Sequence, residues 1–138
     1  MSAETAVQIA IRARLAASSA VLALVPAGNI LDVNQRPAPT PSIILGESQA
    51  VDEGDSIARN RQRVFHTVHV WKKEPSLEGV KAICGAIRQA IHADRLMLPP
   101  GFHAADARVS NMRQMRDPDG ETSHGVVTVE VLVKEVAP

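Results

Sequence analysis

Residues 116–136 constrain the fold more than any other stretch. They carry a turn, Asp117-Pro118-Asp119-Gly120, and then Val127, Val129, Val131 and Val133 at every second position. Proline presets φ near about −65° for the second place of a tight turn, and glycine supplies the positive φ that lets a chain reverse. Thr128, Glu130 and Lys134 alternate with the valines, with Leu132 the apolar exception. A period of two with one apolar face is the pattern of a half-buried strand. The segment therefore predicts a hairpin. Nothing on it has the make-up of a nucleophile, a metal cage or a phosphate cradle.

The other elements follow from the same arithmetic. Val7, Ile11, Leu15, Leu22 and Val25 give one apolar stripe, predicting helix over 4–25, with Gln8, Arg12 and Arg14 off the stripe. Ser18 and Ser19 offer a break, with Ser19 capping a short second helix, and Pro26 and Gly28 stop it. Asn29–Val33 reads as a short strand. Prolines 37, 39 and 41 then force an extended, stiff connector that lacks ladder donors. Ile43, Ile44 and Leu45 place a buried strand over 42–47, and 49–60 reads as a long loop or loose hairpin tip.

Arg63–Lys73 reads as a strand, with Val64, His66, Val68 and Val70 on one face and Phe65, Thr67, His69 and Trp71 on the other. Both faces carry apolar weight, which predicts a central strand covered on both sides. Ser76 is placed to cap a helix whose stripe is Val80, Ile83, Cys84, Ile87 and Ile91. Residues 96–98 read as a short strand, Pro99-Pro100-Gly101 as a type II turn, and 102–115 as the strand before the final hairpin. The order predicts a single α+β domain over 1–138, a mainly antiparallel mixed sheet with two helices packed on one face.

Composition narrows the function classes. The 138 residues include one Trp, two Phe and no Tyr, so the core is built of small aliphatic side chains and gains from partner subunits. Fifteen basic residues balance fifteen acidic ones, unlike a dedicated nucleic-acid binder with its basic excess. Cys84 is the lone cysteine, which excludes an internal disulfide and fits a reducing compartment. Glu4, Gln8, Arg12 and Arg14 interrupt any signal-like apolar run, and no stretch has transmembrane length, so a soluble protein made in the cytoplasm is expected, with no membrane partner.

Chemistry is hard to find. His66 and His69 are three apart in a strand and point to opposite faces, while His92, His103 and His124 are scattered, so no metal site is expected. Cys84 sits on the apolar stripe and reads as an inert core thiol. Pro118-Asp119 with Glu130 and Lys134 faintly resembles a nuclease pattern, but that chemistry needs carboxylate and lysine two apart, and these are four apart. Gly79 and Gly85 lie inside the second long helix at a cost of about 1 kcal/mol each, a place for close approach of a neighbour. The charged segment, with Asp52, Glu53 and Asp55 followed by Arg59, Arg61 and Arg63, is the one stretch that reads as a contact device, for a neighbouring subunit or a channel lining.

Three motifs come in a familiar order: the strand Val64-Phe65-His66-Thr67-Val68-His69-Val70-Trp71, the helix Val80-Lys81-Ala82-Ile83-Cys84-Gly85-Ala86-Ile87, and the turn Arg116-Asp117-Pro118-Asp119-Gly120. Together, over nearly the whole chain, they resemble the tail terminator or tail completion proteins of long-tailed phages and gene transfer agents. The resemblance implies a homohexameric ring on the head-proximal end of the tail tube, in contact with the tube protein and the head-tail connector. It implies DNA passing through the lumen, no enzyme activity and no cofactor. It also implies assembly in the host cytoplasm before incorporation into the particle. A head-tail connector subunit is the related alternative, and a small metal-dependent nuclease the alternative from another class.

Overall fold

The computed structural model describes residues 1–32, 39–54 and 57–137. The first half of the proline-spaced connector (36–38), the end of the strand expected over 29–33, and Asp55 lie outside the described residues. The chain runs α1 (Ala3–Ala16), α2 (Ser19–Leu22), a 3-10 turn (Ala27–Asn29), β1 (Ile30–Leu31), β2 (Ser42–Asp52), β3 (Arg61–Lys73), α3 (Glu78–His92), β4 (Phe102–Arg116) and β5 (Thr122–Glu135). The sheet order is β1-β2-β3-β5-β4, with β1 parallel to β2 and the other pairs antiparallel. This is the α+β fold the sequence predicts.

Local chemistry sets the element ends. The Ser2 hydroxyl accepts from the Thr5 N–H at 3.2 Å and opens α1. The break falls where expected, but the cap of α2 is Ser18, whose hydroxyl accepts from Val21 N–H, and not Ser19. Gly101 has φ +96 and the Phe102 N–H donates to the Pro99 carbonyl, as a type II turn requires. In the final hairpin Gly120 has φ +74 and its N–H donates to the Asp117 carbonyl. Asp119 accepts from the N–H groups of Glu121 and Thr122 and from the Thr122 hydroxyl, which locks the turn and lowers its carboxyl pKa.

Three expectations are corrected. The strand expected over 42–47 continues to Asp52, because Gln49, Ala50 and Val51 pair with Phe65, Val64 and Arg63 of β3. Residues 96–98 form no strand: Leu96 is buried, Met97 is exposed, and the two prolines that follow remove ladder donors. β3 is the middle strand, yet among the described residues only one of its faces is roofed. Val64, His66, Val68 and Val70 are buried under the helices, while Phe65, Thr67, His69 and Trp71 are half-buried on an open face.

The core lies between that sheet face and the helices. Ala6, Val7, Ile11 and Leu15 of α1 and Val80, Ile83, Cys84, Ile87 and Ile91 of α3 are buried with the valines of β5. Gly125 permits the contact, since a Cβ there would meet Cys84 Sγ at 2.7 Å and Val80 Cγ2 at 2.9 Å. Arg14 ties the two long helices together. Its guanidinium donates to the carbonyls of Ala90 (2.8 Å), Asp94 (3.1 Å) and Arg95 (2.7 Å), satisfying oxygens at and beyond the end of α3.

Candidate functional site

The described residues of the charged segment, 52–54 and 57–63, prove to belong to a hairpin arm formed by β2 and β3. Ser48–Asp52 are exposed on both faces of the strand, so the outer half of β2 lies beside the helical roof, while its partners Val64 and His66 on β3 remain buried. Gly54 (φ +71) and Arg59 (φ 51) both adopt the left-handed backbone. The acidic and basic ends meet each other. Arg63 Nε donates to Glu53 Oε1 at 2.7 Å, which raises the arginine pKa, and Arg59 lies 3.4 Å from Asp52. Arg61 stands opposite Lys134 of β5.

Arg63 also reaches the open face of the sheet. There Glu130, only 8% exposed, accepts from Arg63 Nη1 at 3.2 Å and from Arg108 at 2.8 and 3.0 Å. Two guanidiniums on one half-desolvated carboxylate make a crosslink spanning β3, β5 and β4. Glu130 is thus occupied, as is Asp119 by its turn. Asp119 sits in the turn before β5, and Glu130 lies about 26 Å along that strand from its start at Thr122, at ~3.3 Å per residue. The residues of the nuclease pattern are not brought together.

The open face carries a second array that the sequence does not announce. His124 stacks on Trp71, with ring centroids 3.8 Å apart and planes 5° apart. His124 Nε2 lies 2.9 Å from His69 Nδ1, and His69 Nε2 lies 2.8 Å from Glu47 Oε1. The hydrogen bond from His69 holds the Glu47 carboxyl below its ordinary pKa; burial, and then the charge of His69, lower that of His124. The expectation of isolated histidines is corrected here. The signal was the register, which puts Trp71 opposite His124. Because His69 has one nitrogen toward each neighbour, the array does not converge on a single point. Among the described residues no group of three His, Cys, Asp or Glu could hold a metal.

Elsewhere the sequence reading holds. His66 and His69 face opposite ways, and His92 Nε2 accepts from the Val109 N–H at 2.9 Å. Cys84 is buried and free, with burial pushing its thiol pKa up, so it is no nucleophile. Among the described residues, no helix is long and apolar enough to cross a membrane.

The described residues thus present a hairpin arm and an open sheet face. A family model described as tail completion protein gp17 matches residues 9–134. The chain belongs to the tail completion protein gp17 family. Membership gives this tail completion chain a structural role in a tail. Its fold is similar to that of a chain in the virion of a native gene transfer agent particle. The TM-score is 0.83 at 19% identity, over 97% of this chain and 99% of that one. No curated protein matches the sequence.

Proposed function

We propose that this chain forms a homohexameric ring that caps the head-proximal end of a tail tube and receives the head-tail connector, with DNA passing through its lumen. The mechanism is surface complementarity, and no bond is made or broken. One observation carries the reading: the two lateral sides of the sheet are unlike. One side presents the distal half of β2 with its arm, and the other presents β4 along its length. A cyclic assembly needs such a pair, because each copy offers one patch to a different patch of the next.

Asp52, Glu53, Asp55, Arg59, Arg61 and Arg63 are the proposed contacts of this arm, with the neighbouring copy or the lumen. Deleting residues 52–58 should prevent ring closure and change tail length. Unaltered rings on tails of unaltered length would remove these residues from the proposal. The ring itself is tested by native mass measurement with negative-stain imaging. Closed particles with a central hole are expected. A strictly monomeric chain that cleaves polynucleotides with Mg²⁺, and loses that activity in Asp119→Ala, would overturn it. Position in the particle separates a terminator from a connector subunit.

A further inference from the structure

We infer that the arm of one copy locks into a specific cleft of the next, with Ile57 as the knob; this rests on the ring reading above. Ile57 is 102% exposed at the arm's tip and Val51 on its shaft is 44% exposed. Hairpin tips favour Gly, Asn, Asp and Pro for their backbone preferences, so a branched aliphatic side chain there contributes nothing to the turn.

The matching concavity is a cleft of ≈ 290 Å³ where the chain leaves α3 and enters β4. Ile91, Leu96 and Ala104 form an apolar floor, each nearly fully buried. Asp94, Arg95 and Asp106 stand on the rim. With its apolar floor, the cleft has room for a single branched side chain. Its wall is held from behind by Arg14, which fixes the Asp94 and Arg95 carbonyls. The cleft is therefore built before anything enters it.

Position favours a second copy as the occupant. Gln62 pairs with Asp52 just below the arm's tip and with Val133 on its other side, and Val133 pairs with Ala104 on the cleft floor. Arm and cleft thus lie at the same end of the sheet, on opposite lateral sides. Copies placed side by side bring one arm level with the next cleft without sliding along the strands. Charge agrees: on the cleft rim Asp94 and Asp106 outnumber Arg95, and Arg59, 64% exposed by side chain even with Asp52 3.4 Å away, sits two residues from Ile57.

The competing mode, strand addition along β4, is obstructed. β4 is bulged at Ala104/Asp106 and again at Val109/Asn111, and His92 occupies the Val109 N–H. Bulges and covered donors blunt an edge against pairing. A side chain seated beside that edge meets no such obstacle.

The test uses the full chain. Ala105 also lines the cleft, so oxidation of the double variant Ile57→Cys with Ala105→Cys should give a ladder of disulfide-linked oligomers that the single variants do not give; Cys84 is buried and stays out of the reaction. Ile57→Asp should weaken self-association at least ten-fold and leave the thermal midpoint of the monomer unchanged. Arg59→Glu should weaken it too, and Asp106→Arg should restore it in combination. Rings that form normally in Ile57→Asp, without crosslinking in the double-cysteine variant, would overturn the knob and leave the ring reading standing. A wild-type chain that stays monomeric at every concentration, with no crosslinks, would overturn both.

Discussion

At the scale of single residues, His66 is the least expected feature. It is 0% exposed on the core face of β3, and neither ring nitrogen has a hydrogen-bond partner. Burial lowers its pKa to about 4 from an ordinary value of 6.5. The native state therefore binds fewer protons than the unfolded chain between these values, so stability rises with pH there. Its contribution is fully present above pH 6.5 and is lost as pH falls toward 4, a loss of about 3 kcal/mol when complete. His66→Leu should flatten the dependence of the urea midpoint on pH between 6.5 and 4; an unchanged slope would show that other groups set it. Strand alternation places His66 inward with Val64 and Val68, but its lack of a partner depends on what lies across the core, which no local pattern records.

Glycines divide in the same way. Gly79 and Gly85 look equivalent on the helix, yet a Cβ at Gly85 would meet nothing within 4 Å, while one at Gly79 would meet Lys72 Nζ at 2.6 Å. The close approach expected at both is found at Gly79 alone. Gly85→Ala should raise stability by about 0.5–1 kcal/mol. Gly125→Ala, pressed against Cys84 and Val80, should lower it by about 1–3 kcal/mol. Chemical denaturation of the two variants checks both signs.

At the scale of elements, the start of α3 shows why position in sequence is a partial guide to capping. The N-cap is Leu77, without a side-chain cap, and not Ser76 as expected; the Ser76 hydroxyl accepts from the Glu78 N–H at 3.2 Å. The larger share falls to Glu74, whose two oxygens accept from Gly79 N–H at 2.8 Å and Val80 N–H at 2.9 Å. Ser123 donates to the same carboxylate at 2.7 Å, and Arg116 holds the backbone at the Glu74 and Pro75 carbonyls. Burial raises the Glu74 pKa, but these hydrogen bonds and the charge of Lys72 outweigh it, and the net shift is downward. Its stabilisation is present above pH 4.5 and lost as pH falls below. Glu74→Ala should cost about 1–3 kcal/mol, and Ser76→Ala less; thermal melts that rank them the other way would reassign the cap. The link to Ser123 is long-range, so a helix-start rule finds the serine and misses the glutamate. β2 is a parallel case. Its outer half is wet on both faces, so Gln49–Asp52 show no alternation and read as loop although β3 pairs with them.

At the scale of the whole molecule, the buried valines and the two long apolar stripes were sufficient to predict the layered α+β fold, because they report burial within one chain. The arm and the cleft lie outside that buried core and leave no comparable period, which is why the arm showed in the sequence only as a run of mixed charge and the cleft did not show at all. If assembly stabilises the subunit, the melting temperature should rise with protein concentration; a midpoint independent of concentration over a hundredfold range, about two decades, would separate folding from association. The stack of Trp71 on His124 has a practical consequence. It is the chain's single indole, half-buried on the unroofed side of the sheet, so its fluorescence belongs to that surface alone. Titrating the imidazole beneath it should alter the quenching, and any component that seats on that surface should shift the emission to the blue. The protein thus carries its own optical gauge of whether that side of the sheet is covered.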